Sequence, residues 1–215
     1  MKAIIFDLDG VLCFTDKYHY QAWKALADEL DIYFDEKIND RLRGVSRMAS
    51  LEIILEKSDK QYTQEEKVQF TEKKNALYRQ LLQNMSPEDV AEEVRQTLQE
   101  LRHKGYKMAI GSSSKNAQFI IRQIDIASYF DAVADGNDIT CSKPDPEVFL
   151  KAAEKLGIPP EECAVVEDAD AGIKAAKAGN MLAFAIGGDA QYSDIKDVNL
   201  KDFADLLIIC DRMWR

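Results

Sequence analysis

An apolar run, Ala3-Ile4-Ile5-Phe6, ends abruptly on Asp7, Asp9 and Gly10. Carboxylates two positions apart share one side of extended chain, so both acids can look into one crevice. A second apolar run, Ala164-Val165-Val166, ends the same way on Glu167 and Asp168. Clustered carboxylates repel, and burying them unpaired is costly. A hard divalent cation relieves both problems, and Mg²⁺ bound by a few carboxylates keeps room for water or a phosphate oxygen. Taken singly, each acid could cap a helix or face solvent. Four of them at two strand ends, with Gly111-Ser112-Ser113-Ser114 at a third and Lys143-Pro144 beyond, point instead to a metal-assisted site.

The elements that must position these groups follow from periodicity. Short apolar runs at Ala3–Phe6, Met108–Ile110, Ala132–Ala134, Ala164–Val166, Leu182–Ile186 and Leu206–Cys210 have the composition of strands buried on both faces. Helical segments are expected between them: from Pro87 to Lys104 with Gly105 as the stop, from Asp145 to Lys155 stopped by Gly157, and from Ala171 to Ala178 stopped by Gly179. This alternation predicts an α/β fold, a doubly wound, mostly parallel sheet. Ligands of such sheets bind at the carboxyl ends of the strands, where the acids and serines fall. Residues 15–83 break the rhythm. They contain no convincing strand, and Tyr18, Ala22, Ala25, Leu26 and Leu30 recur at helical spacing. The expected organisation is a core of 1–14 and 84–215 with an inserted α-helical cap domain at 15–83.

The bulk composition narrows the function. The 215 residues are 46% apolar and 31% charged, enough for a substantial core under a solvated surface. A net charge of −10 speaks against nucleic acid as a partner. No apolar run approaches the ~18 residues of a membrane span, and no basic stretch precedes a signal-like segment. Cys13, Cys141, Cys163 and Cys210 form no C-x-x-C pair and suggest no disulfide framework, so a reducing, cytoplasmic setting is expected.

Four segments, in order, resemble the motifs of the haloacid-dehalogenase superfamily: DLDGV at 7–11, GSSSKN at 111–116, Lys143 within SKPDPEVF, and VVEDADAGI around Glu167 and Asp168. The cap narrows the resemblance. Thr15 and His19 followed by AWKAL (which includes Trp23), RGVSR at 43–47 and KKN at 73–75 are similar to the β-phosphoglucomutase branch. The resemblance implies a HAD-like Rossmannoid core in which Asp7 is the nucleophile and Asp9 the general acid/base. It implies Mg²⁺ held by Asp7, the Asp9 backbone carbonyl, Glu167 and Asp168. Ser112, with Ser113 beside it, and Lys143 would grip the transferring phosphoryl group. Arg47 would take a second phosphate, with Ser114, Lys115 and Asn116 completing that site from the core. Arg43, Gly44, Val45, Trp23, Lys74 and Asn75 are further cap candidates, and His19 would steady the hinge near Asp9. The implied partners are small hexose phosphates, and a monomer is expected.

Three positions depart from the pattern: Phe14 stands where relatives commonly carry Asp, residues 91–94 replace a Pro-Gly turn, and Arg43 stands for an expected Lys. A phosphatase of the same superfamily would use the core residues identically and differ only in its acceptor, water instead of a sugar hydroxyl. A dehalogenase needs neither Asp9 nor Mg²⁺, and a phosphonate hydrolase needs a Schiff-base lysine in the cap. A non-catalytic binder should have lost a catalytic residue, and none is missing.

Overall fold

The computed structural model describes residues 2–42 and 46–213. The chain divides into two compact units, residues 1–14 with 85–215, and residues 15–84.

The first unit is built on a six-stranded sheet. Its strands are β1 (Ala3–Phe6), β2 (Lys107–Gly111), β3 (Ala132–Ala134), β4 (Cys163–Glu167), β5 (Leu182–Ile186) and β6 (Val198–Leu200). Their order is β3-β2-β1-β4-β5-β6, and every pairing is parallel. Strand β1 is central and fully buried, which explains its unbroken apolar composition. On one face Ala3 and Ile5 join Val148, Phe149, Ala152, Val165, Ile173 and Ala176 in a continuous core. On the other, the Phe6 ring meets Phe130 edge-on at 5.9 Å and stacks on Phe203 at 5.8 Å. The connection reverses direction between β1 and β4, and such a switch point opens a crevice at the strand ends.

The second unit contains α1 (Asp16–Glu29), α2 (Glu36–Asp40), α3 (Arg47–Leu55) and α4 (Gln64–Leu82). Its core joins Trp23, Leu26, Ala27, Ile32, Phe34, Leu51 and Ile54. Helix α4 opens with a reciprocal cap: Glu66 N–H donates to Thr63 Oγ1 at 3.2 Å, and Thr63 N–H donates to Glu66 Oε2 at 2.7 Å. On α1 the buried line is Tyr18, Ala22, Trp23, Leu26 and Ala27, and Ala25 is exposed, so the apolar face lies one position round from the expected stripe.

The remaining helices belong to the first unit: α5 (Glu92–His103), α6 (Ala117–Gln123), α7 (Glu147–Leu156), α8 (Asp170–Ala178) and α9 (Asp205–Met213). Two expectations need correction. Leu206–Cys210 is not a strand but the middle of α9. Leu206 and Cys210 are buried four residues apart while Ile208 is exposed, a helical pattern that a five-residue apolar run cannot announce. The sixth strand is Val198–Leu200 instead. Pro87–Asp89 forms a separate 3-10 turn, closed on itself because Asp89 reaches back to the Ser86 N–H at 2.9 Å. Val90 then runs extended into the core before α5 begins. Gly157 takes the left-handed conformation expected of a helix stop, and α8 ends at Gly179 as expected, with the left-handed residue one position on at Asn180 (φ 58°). Among the described residues no helix is long and apolar enough to cross a membrane.

Phe149 is the hinge between this core and the strand ends: fully buried, its ring fills the space over Gly111 and lies 4.6 Å beneath Lys143 Nζ. Phe149→Ala is expected to cost about 3–5 kcal/mol, read as a drop in the urea midpoint; a loss under about 1 kcal/mol would contradict this packing.

Candidate active site

The end of β1 delivers Asp7 and the end of β4 delivers Glu167 and Asp168, with adjacent strands locked in register by Asp7 N–H donating to the Val166 carbonyl at 2.9 Å. One carboxylate oxygen from each of these three acids lies within 4.8 Å of the others. Asp7 and Glu167 are buried. Lys143 joins them from the loop before α7, donating from Nζ to Asp7 Oδ1 and to Glu167 Oε1, the latter at 2.5 Å. The second Glu167 oxygen, Oε2, accepts from the Ala169 N–H at 2.8 Å.

The charge count is unbalanced, and the titration behaviour reflects it. Burial raises the Glu167 carboxyl above its usual range, and Asp7 adds to the rise while Lys143 opposes it. Asp168 is pushed up to about 8, first by burial and then by Glu167, Asp7 and Asp9. Burial alone would lower Lys143, but the Asp7 and Glu167 carboxylates reverse this and hold it firmly cationic. One ammonium therefore faces three carboxylates with a fourth, Asp9, nearby. An all-oxygen donor set with surplus negative charge fits a hard divalent cation. The Asp9 side chain is not part of the trio.

The 111–116 segment leaves β2 as a tight loop. Ser114 N–H donates to Ser112 Oγ at 3.2 Å and Asn116 N–H to Ser114 Oγ at 3.2 Å. Ser112 and Asn116 are buried, Ser114 is half-buried and Lys115 is exposed. Ser113 Oγ is buried with no hydrogen-bond partner among the described residues. Sequence reasoning missed the brace behind this loop: Gly136 N–H donates to the Ser114 carbonyl at 3.2 Å, and Asn137 Nδ2 donates to the Lys115 carbonyl at 3.1 Å. Its only sequence signal was an Asp-Gly-Asn turn after a strand.

Within the helical unit, His19, Trp23 and Lys74 meet. Lys74 Nζ lies 2.9 Å from His19 Nδ1 and over the rings of Trp23 and Tyr78 at 4.6 and 4.7 Å. Tyr78, one turn beyond Lys74 and not singled out by the sequence, stacks on His19 at 4.0 Å and donates its hydroxyl to Thr15 Oγ1 at 3.1 Å. Burial and Arg47 push Lys74 down to about 7. Burial, Lys74 and Arg47 hold His19 well below its ordinary value, so its ring is neutral. Arg47 is half-buried at the start of α3 and has no carboxylate partner among the described residues. Asn75 is half-buried one position beyond Lys74. Arg43, Gly44 and Val45 lie outside the described residues.

Residues 1–180 match the haloacid dehalogenase-like hydrolases. The chain is 42% identical to a β-phosphoglucomutase of Bacillus subtilis over 189 residues, 87% of this chain and 84% of that protein. It is 30% identical to a phosphorylated carbohydrates phosphatase of Thermotoga maritima over 184 residues, 84% of this chain and 82% of that one. A crystal structure of β-phosphoglucomutase from Clostridium difficile superposes with a TM-score of 0.88 at 35% identity, covering 99% of this chain and 96% of that chain.

The raised Asp168 carboxyl sets a pH dependence. It titrates near 8 when folded and near ~3.9 when unfolded, so between these values the folded state holds the extra proton and stability falls as pH rises. With divalent ions chelated, Asp168→Asn should melt above the parent protein, by a gap that widens from pH 5 to pH 8. A gap that narrows over this range in thermal melts would contradict the assignment.

Proposed function

The chain belongs to the haloacid dehalogenase-like hydrolase family, and on that premise we propose that it interconverts β-glucose 1-phosphate and glucose 6-phosphate through a 1,6-bisphosphate. The observation that carries the reading is the carboxylate trio at the switch point, gripped by Lys143. The 42% identity to a β-phosphoglucomutase over most of the chain favours the mutase among the family's chemistries.

In this reading an Asp7 carboxylate oxygen attacks phosphorus, the bond from phosphorus to the sugar oxygen breaks, and Asp7 becomes an aspartyl-phosphate. Asp9 donates a proton to the departing sugar oxygen. In the return transfer it accepts the proton of the attacking hydroxyl, so one residue serves as acid and then base. Lys143 and the Ser112 segment hold the equatorial phosphoryl oxygens, where positioning and electrostatics carry most of the catalysis. Asp7, Glu167 and Asp168, with the Asp9 carbonyl, would hold Mg²⁺, which supplies charge neutralisation as the phosphoryl group nears the carboxylate. A mutase also needs a cation for the phosphate that is not transferring, and Arg47, with no carboxylate partner among the described residues, suits that demand. Four free thiols accord with a reducing, cytoplasmic setting.

A sugar-phosphate phosphatase is the second reading, favoured by the Thermotoga maritima relative. Phosphorus NMR separates the two. With Mg²⁺, β-glucose 1-phosphate and a trace of the 1,6-bisphosphate, the 6-phosphate signal should grow with little inorganic phosphate, and Asp7→Asn should show no turnover. Growth of inorganic phosphate in its place would establish the phosphatase and remove the need for Arg47 as a second phosphate site.

A further inference from the structure

The acids at the end of β4 lead straight into α8, whose third residue is Gly172. Gly172 is buried and helical, and its φ is not left-handed. The backbone therefore does not require glycine here, and glycine inside a helix is less favourable than alanine. The neighbourhood supplies the reason. A Cβ built on Gly172 would overlap Cδ, Oε1 and Cγ of Glu167. The Glu167 carboxylate lies against the bare Cα, while Ala169 N–H holds Oε2 and Lys143 holds Oε1 from other directions.

We propose that Gly172 is a positioning residue for Glu167: its missing side chain is the space that lets this carboxylate stand with Asp7 and Asp168. The inference rests on the reading that the trio binds Mg²⁺. What alanine would displace is side chain and not backbone, so a rotation of Glu167 relieves the overlap at the cost of its bonds to Lys143 and the Ala169 N–H. The rotated carboxylate leaves the trio. Gly188 makes the contrast. Its φ is +51°, and an added Cβ would overlap the Asp168 backbone carbonyl, so Gly188→Ala burdens the fold itself. No side-chain rotation relieves that overlap.

The test is Mn²⁺ binding to the full chain, followed by calorimetry or electron paramagnetic resonance beside thermal melts. Gly172→Ala should melt closer to the parent temperature than Gly188→Ala does. Gly172→Ala should also bind Mn²⁺ about 10-fold or more weakly, as losses of groups that orient metal ligands do. In a Glu167→Ala background, with residual binding measured at millimolar Mn²⁺, adding Gly172→Ala should change affinity by less than about twofold, because the displaced group is gone. Parent-like Mn²⁺ affinity in Gly172→Ala overturns the proposal. So does an undiminished loss in the Glu167→Ala background, since the glycine would then act elsewhere. A parent protein that binds no Mn²⁺ overturns the metal reading, and this inference with it, before any glycine is changed.

Discussion

Mutual repulsion among Asp7, Glu167 and Asp168 is the constraint around which the first unit is arranged. Three carboxylates with oxygens within 4.8 Å of one another are tolerated because Lys143 lies between two of them and because a cation can complete the neutralisation. The imbalance left when only Lys143 is present is visible in Asp168, which holds its proton to about pH 8. A surplus of carboxylate charge of this kind fits a hard divalent cation.

Holding such a cluster requires a rigid frame. Parallel pairing of β1 with β2 and β4 sets the strand ends side by side, and full burial of β1 removes freedom to slip. Phe149 under Gly111 and Lys143, the 136–137 brace behind the serine loop and the bare Cα of Gly172 all act on atoms one step behind the chemistry. Each is a contact of shape more than of charge, and together they leave the acids few alternative positions.

The helical unit treats charge differently. Lys74 is buried against two aromatic faces and a neutral imidazole, with no carboxylate partner among the described residues. Burial and Arg47 lower its pKa, while the ring faces favour its charged form. A region of this kind has a net appetite for negative charge, which accords with the phosphorylated sugars proposed as substrates.

Much of this was legible in the residues alone. Five of the six strands could be placed because double-sided burial leaves unbroken apolar runs, and the acids could be placed at their carboxyl ends because the runs stop there. The helical insertion was legible from its period. The tertiary structure decided what local pattern cannot carry. Leu206–Cys210 became a helix because its environment buries only every fourth residue. Lys143 found partners 136 and 24 positions away, and Lys74 met a histidine 55 positions away. Strand order, the pairing of one ammonium with two particular carboxylates, and the fit of Glu167 against Gly172 in the first turn of α8 are properties of distances between segments. A sequence encodes those only through the whole set of packing interactions, so it named the chemical groups, and the fold decided which of them meet.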